Sequence, residues 1–153
     1  MMKPLNLPAF EMTIRVRNDQ KQEVFDPVRK RFVTLTSEES VRQHMLNYLV
    51  HHRNFPASLI GVEVSLTYYK LKKRSDIVAF NRDGIPLLLV ECKAPQVEIT
   101  QEVFDQVAMY NMSFTGSYLV VTNGLTHYAC KIDHDKRKWE FLPEIPEFSE
   151  ICN

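Results

Sequence analysis

Asp76, Glu91 and Lys93 are residues whose types and spacing could do chemistry together. The apolar run at 85–90 leads straight into Glu91-Cys92-Lys93, and an Asp-Ile-Val-Ala-Phe strand at 76–80 lies upstream across an Asn81-Arg82-Asp83-Gly84 turn. Ionised groups are costly in an apolar strand unless a metal or partner accepts them, so the stretch reads as a site. Side chains alternate along a strand, which sends Glu91 and Lys93 to one face and Val90 and Cys92 to the other. If Phe80 and Ile85 close the hairpin, Asp76 lies opposite Leu89; a register two residues along places it opposite Glu91. Both put Asp76 on the Glu91 face, and a slip of one residue would send it to the other.

Two carboxylates and an ammonium on one sheet face suit a hard divalent cation, Mg²⁺ or Mn²⁺, which takes oxygen ligands and in the case of Mg²⁺ keeps several waters. At a phosphodiester such an ion polarises the phosphoryl group and acidifies a bound water, while a nearby lysine orients that water or stabilises developing negative charge. The alternative reading is an Asp/Glu/Lys cluster on a solvated sheet.

Other residues are placed by helical spacing. Thr36 to Glu39 has capping-box spacing, and Val41, Met45, Tyr48, Leu49 and His52 recur at helical intervals up to Phe55-Pro56. Glu38 lies near the middle of that apolar arc, which could carry its carboxylate toward the metal as a further ligand; Glu39 is the capping alternative and the lesser candidate for that role, and a first-turn carboxylate also serves as a mere cap or dipole partner. A second helix at 97–114 carries Val103, Val107, Tyr110 and Phe114 at helical spacing. Gln106 and Tyr110 sit one turn apart on it, where an amide and a phenol could bind a phosphate or hold Lys93, although a tyrosine at such a position also suits the core.

The remaining elements frame these positions. Short β-favourable pieces at 13–17 and 32–35 suggest an N-terminal hairpin. Strands at 61–69, 75–80 and 85–93 form an antiparallel meander, with alternation of Val62, Val64, Leu66 and Tyr68 in the first. After Ala94-Pro95 and the second helix come an apolar strand at 117–122, an Asn123-Gly124 turn, a returning strand at 125–132 and an arm at 138–142. The expected fold is α/β, a central mixed sheet flanked by helices, in one domain spanning 1–153.

Composition narrows the function classes. The 153 residues carry a formal net charge of +0, which disfavours a binder that relies on many phosphate contacts, so any DNA affinity must be local. Lys72, Lys73 and Arg74, just before Asp76, are the candidate DNA contacts; Arg29-Lys30-Arg31 and Lys136-Arg137-Lys138 are further basic runs, and any of the three could be a solvated turn. Cys92, Cys130 and Cys152 lack metal-ligand spacing, and the odd count suits a reducing compartment. The five histidines show no ligand spacing, and no serine elbow points to covalent catalysis. No phosphate-cradling glycine motif appears, so neither a nucleotide nor a motor is expected. Without a long apolar span or leader pattern, a soluble, cytoplasmic protein with no membrane partner is expected.

The pattern Asp76-x14-Glu91-x-Lys93 resembles the PD-(D/E)xK nuclease signature, with Ser75-Asp76 in place of Pro-Asp. Its surroundings are more specific. Val24-Phe25-Asp26-Pro27-Val28-Arg29-Lys30, Leu35-Thr36-Ser37-Glu38-Glu39-Ser40-Val41-Arg42-Gln43, Glu91-Cys92-Lys93-Ala94-Pro95, Gln106-Val107-Ala108-Met109-Tyr110 and Val121-Thr122-Asn123-Gly124 are similar to the N-terminal nuclease domain of type I restriction enzyme R subunits, over about residues 22–132. The resemblance implies a restriction-endonuclease-like core and a metal-dependent DNA endonuclease. Gln106 and Tyr110 match its Q-x-x-x-Y element, and nucleases of this kind often add an acidic residue from the first helix, the place Glu38 occupies. DNA is the implied partner, together with restriction-modification or motor subunits encoded separately. The alternative on the same scaffold is a non-catalytic DNA-binding or interaction module.

Overall fold

The computed structural model describes residues 4–113 and 116–152. Its centre is a six-stranded mixed sheet in the order β4-β5-β6-β7-β8-β9. The strands are β4 (Ile60–Tyr68), β5 (Leu71–Phe80), β6 (Pro86–Cys92), β7 (Tyr118–Thr122), β8 (His127–Asp133) and β9 (Lys138–Leu142). β4 to β6 form the expected antiparallel meander, β6 pairs with β7 in parallel, and β8 and β9 return antiparallel. The parallel step needs a crossover, which α2 (Gln101–Asn111) supplies.

Two apolar clusters lie on opposite faces of the sheet. Val41, Met45 and Leu49 of α1 (Ser37–His52) pack on Ile77, Leu88, Val90 and Val120, joined by Phe148 and Ile151 of α3 (Phe148–Ile151). Phe104, Ala108 and Met112, at and just past α2, pack on Val78, Leu89, Leu119 and Val121. Neighbouring residues of β6 and β7 thus fall into different clusters, as strands covered on both faces require. Among the described residues, no helix is long and apolar enough to cross a membrane.

The N-terminal region is a three-stranded antiparallel sheet rather than a hairpin: β1 (Ile14–Val16), β2 (Gln22–Asp26) and β3 (Arg31–Thr34). The middle strand escapes a reading by alternation because Asp26 at its end is fully buried, satisfied by tertiary partners rather than by water. Strand β5 begins at Leu71, so Lys72, Lys73 and Arg74 belong to a strand and not to a turn. The second helix is shorter than the expected 97–114; Phe114 lies outside the described residues.

The β5–β6 register is the second of the two expected. Phe80 pairs with Pro86, a bulge follows between Ala79 and Phe80, and the pairs then run Ala79↔Leu88 to Ile77↔Val90. The ladder ends there, and Asp76 and Glu91 are the next residues on the two strands.

Candidate active site

Asp76 sits where β4 and β5 change faces. The ladder pairs Val62↔Ile77 and Val64↔Ser75 skip Glu63 and Asp76, and Glu63 has φ 53°. Val62 packs on the α1 side, whereas Val64 and Leu66 pack on the α2 side. At this switch the Asp76 side chain reaches along the sheet: Oδ2 accepts the Cys92 amide at 2.7 Å, in place of a ladder carbonyl. Oδ1 accepts from Arg42 Nη2 at 3.1 Å.

Glu91 and Lys93 line a cleft of about 380 Å³ on the α2 side, with Lys72, Lys73, Arg74, Gln106, Val107, Tyr110 and Asn111. Four cations against one carboxylate make it attractive to a polyanion despite the neutral chain. Gln106 is exposed there, and Tyr110, half exposed, donates its hydroxyl to the Lys72 carbonyl at 3.1 Å. Asp76, expected on the same face, is not among the residues that line this cleft; its carboxylate is held by Arg42 and the Cys92 amide instead.

Lys73 departs from its expected surface role. Its side chain is 6% exposed, and its ammonium contacts Glu91 and donates to Asn111 Oδ1. Asn111 Nδ2 donates to the Val107 carbonyl at 2.7 Å, which turns the amide oxygen toward Lys73. Lys72 and Arg74 are exposed, and Arg74 pairs with Glu63 at 2.9 Å.

Burial pushes the Glu91 carboxyl above its ordinary value; Lys73 opposes that rise, Asp76 adds to it and Lys93 opposes it. Burial likewise pushes the Cys92 thiol well above its ordinary value, and that side chain packs on the opposite, α1 face, away from any nucleophilic role.

On the α1 side a buried ion network ends on Asp76. Asp26 Oδ1 accepts the Val28 and Arg29 amides at 2.7 and 2.9 Å, and its Oδ2 accepts Arg29 Nε at 2.6 Å and Gln43 Nε2 at 3.1 Å. Arg29 and Arg42 both donate to Glu39 Oε1 at 2.8 Å. Of the two acidic residues of the first turn, Glu39 is the one that the network takes up. Glu39 is buried within the network, while Glu38 is 47% exposed and 3.8 Å from Arg42. Thr36 does cap the helix, its hydroxyl accepting the Glu39 amide at 3.0 Å, but the Glu39 carboxylate turns to the arginines instead of closing a capping box.

Sequence reasoning passed over Arg42 and Asn111, and over the buried pairing of Lys73, which it read as a DNA contact. Glu39 and Arg42 at i,i+3 were a readable signal for the first. Nothing local marks the other two, since β5 and α2 meet only in the fold.

As ligands, Asp76 and Glu91 fit a hydrated divalent cation rather than a closed protein cage. Glu91 Oε1 is buried and its partner is the Lys73 ammonium, a cation in the place that a metal ion would take. Among the described residues no group of three or more His, Cys, Asp and Glu is placed to hold a metal ion, so waters would complete the shell.

The family described as type I restriction enzyme R protein N terminus matches residues 37–146, which span α1 to the segment after β9. The chain belongs to this family. A fragment structure of a putative HsdR subunit of a type I restriction enzyme from Vibrio vulnificus YJ016 has the same fold, with a TM-score of 0.52 and 18% identity over 76% of this chain. The match spans only 24% of that longer chain. No curated protein matches the sequence. The family match bears out the resemblance to type I restriction R subunits, and the mixed sheet between helices is the expected core.

Proposed function

We propose that this chain is a Mg²⁺- or Mn²⁺-dependent DNA endonuclease domain that hydrolyses phosphodiesters with an activated water. The observation that carries the reading is the juxtaposition of the Asp76/Glu91 pair with a cleft whose charged lining is Lys72, Lys73, Arg74 and Lys93 around Glu91. Asp76 and Glu91 are the residues that would hold the ion, and Glu38, near Arg42, is a more distant acidic neighbour. When bound, the ion supplies Lewis acidity to the phosphoryl oxygen and to a water. Lys93 follows the end of β6, its amide donating to the Thr122 carbonyl at 2.8 Å, which fixes its backbone beside Glu91. From there its ammonium orients the attacking water or stabilises charge on the phosphate. Gln106 offers an amide to a phosphate oxygen, and Tyr110 supports the strand that carries Lys72. The family ties this chemistry to restriction-modification, with DNA as substrate and the other restriction subunits as partners.

A supercoiled-plasmid assay tests it. Wild-type protein with Mg²⁺ or Mn²⁺ nicks or cuts DNA, and Lys93→Ala loses activity by about a hundredfold or more while its thermal unfolding is retained. Equal cleavage by both proteins would mean a contaminant. Absence of cleavage on every DNA form would favour the non-catalytic module, a reading that the pairing of Asp76 with Arg42 and of Glu91 with Lys73 supports.

A further inference from the structure

Three lysines, Lys72, Lys73 and Lys93, line the cleft, and the nuclease reading gives only Lys93 a part at the reacting phosphate. Lys73 is the most deeply held, with its ammonium enclosed by the Glu91 carboxylate, the Asn111 amide oxygen and the Tyr110 ring, whose centroid is 5.5 Å away. A buried ammonium needs such partners, and Asn111 is oriented for the purpose by its bond to Val107. Glu91 does not depend on Lys73 for its position. β6 pairs with β5 on one side and β7 on the other, and the pair Glu91↔Val121 fixes the backbone. The ammonium therefore supplies charge rather than scaffolding: it sits on the carboxylate that a divalent cation would claim.

We propose that Lys73 is the resident counter-ion of Glu91, which yields the carboxylate to an entering divalent cation and is thereby released toward the phosphate-binding cleft. The inference rests on the metal-dependent reading above. Lys73 keeps a partner after the exchange, because Asn111 and the Tyr110 ring stay beside it, and Lys72 and Lys93 line the same cleft. Metal occupancy and cleft charge are then linked: the ion binds against a competing cation, and its binding adds one ammonium to the surface that meets DNA.

Titration with Mn²⁺, followed by the paramagnetic resonance of the free ion at mildly alkaline pH, tests the exchange without requiring turnover. Lys73→Met removes the competitor and tightens Mn²⁺ binding by on the order of tenfold. Lys73→Arg keeps the charge and stays within about twofold of wild type. Thermal unfolding confirms that each variant is folded, and Lys73→Gln, which can still bridge Glu91 and Asn111, replaces Lys73→Met if the latter fails to fold. Asp76→Ala identifies the site by abolishing the binding. Unchanged or weaker Mn²⁺ binding in the neutral Lys73 variants, with Asp76 dependence intact, would overturn this inference alone. No Asp76-dependent binding in any variant would overturn the metal-dependent reading with it.

Discussion

The two sides of Asp76 handle charge in opposite ways. On the α1 side Asp26, Arg29, Glu39, Arg42 and Gln43 are buried and bonded to one another, each carboxylate meeting a cation or an amide. On the α2 side Lys72, Arg74 and Gln106 are exposed, Lys93 is half-buried, and Glu91 is the one carboxylate among the lining residues of the cleft. Removal from water is costly for any ion, so the buried side persists only because it is closed on itself. The open side has positive charge to spare for a ligand. Asp76 stands between them, held by Arg42 and by the amide of Cys92, the residue after Glu91.

Breaking the closed side should have the largest effect. Glu39→Ala takes the buried carboxylate away from Arg29 and Arg42, whose side chains are 12% and 7% exposed, and leaves them Asp26, Asp76 and the more distant Glu63. We expect a loss of about 3 to 5 kcal/mol in urea unfolding, as when one partner of a buried pair is removed. A loss below about 1 kcal/mol would show that water replaces the carboxylate and that the two sides do not differ.

The contrast also explains what the sequence conveyed. The site strands were legible because Ile77 to Phe80 and Leu87 to Val90 are apolar runs around an Asn-Arg-Asp-Gly turn, and the position of Glu91 and Lys93 follows from parity. The choice between the two registers was not, since it depends on a bulge at Ala79 and Phe80. The closed network was invisible to hydrophobic periodicity. It buries Glu39, Arg42 and Gln43 on the same helix that buries Val41 and Met45, so an apolar arc assigned the inward position to Glu38. Lys73, near the start of β5, was misread and Asp26, at the end of β2, went unnoticed for the same reason: a charged residue looks solvated until its partner, distant in the chain, is known.

On the open side, Gln106→Ala should lower cleavage by about tenfold, the size expected for one neutral contact to a phosphate. Gln106 is exposed, so its unfolding free energy should stay within about 0.5 kcal/mol of wild type. Loss of stability in parallel with activity would mean that the cleft is as tightly built as the network.

A smaller effect should appear in acid. The Asp26 carboxyl is held below its ordinary value of 3.8: burial alone would raise it, and the amides and guanidinium of the 26–29 turn more than offset that. A group depressed on folding contributes its full stability above its unfolded value and loses it as pH falls through its folded value. Unfolding free energy should therefore drop below about pH 4, and the drop should be shallower in Asp26→Asn, which has no carboxyl to protonate. Identical acid slopes in the two proteins would remove Asp26 from the network's account of stability.

The smallest effect belongs to the rim. Lys72 lies on β5, exposed, with its carbonyl held by the Tyr110 hydroxyl at 3.1 Å, so its side chain extends from a fixed backbone position on the cleft wall. A contact of that kind meets phosphate rather than bases and carries no sequence information. Lys72→Ala should weaken binding to all DNA sequences by a similar factor and reduce the slope of log affinity against log salt by about one, because one fewer counterion is released. Stability should not change, in contrast to Glu39→Ala. Fluorescence anisotropy of labelled duplexes over a salt series, with Ca²⁺ in place of Mg²⁺, measures both slope and sequence dependence. A slope equal to wild type would take Lys72 off the DNA path and confine the polyanion contacts to the deeper lysines, Lys73 and Lys93.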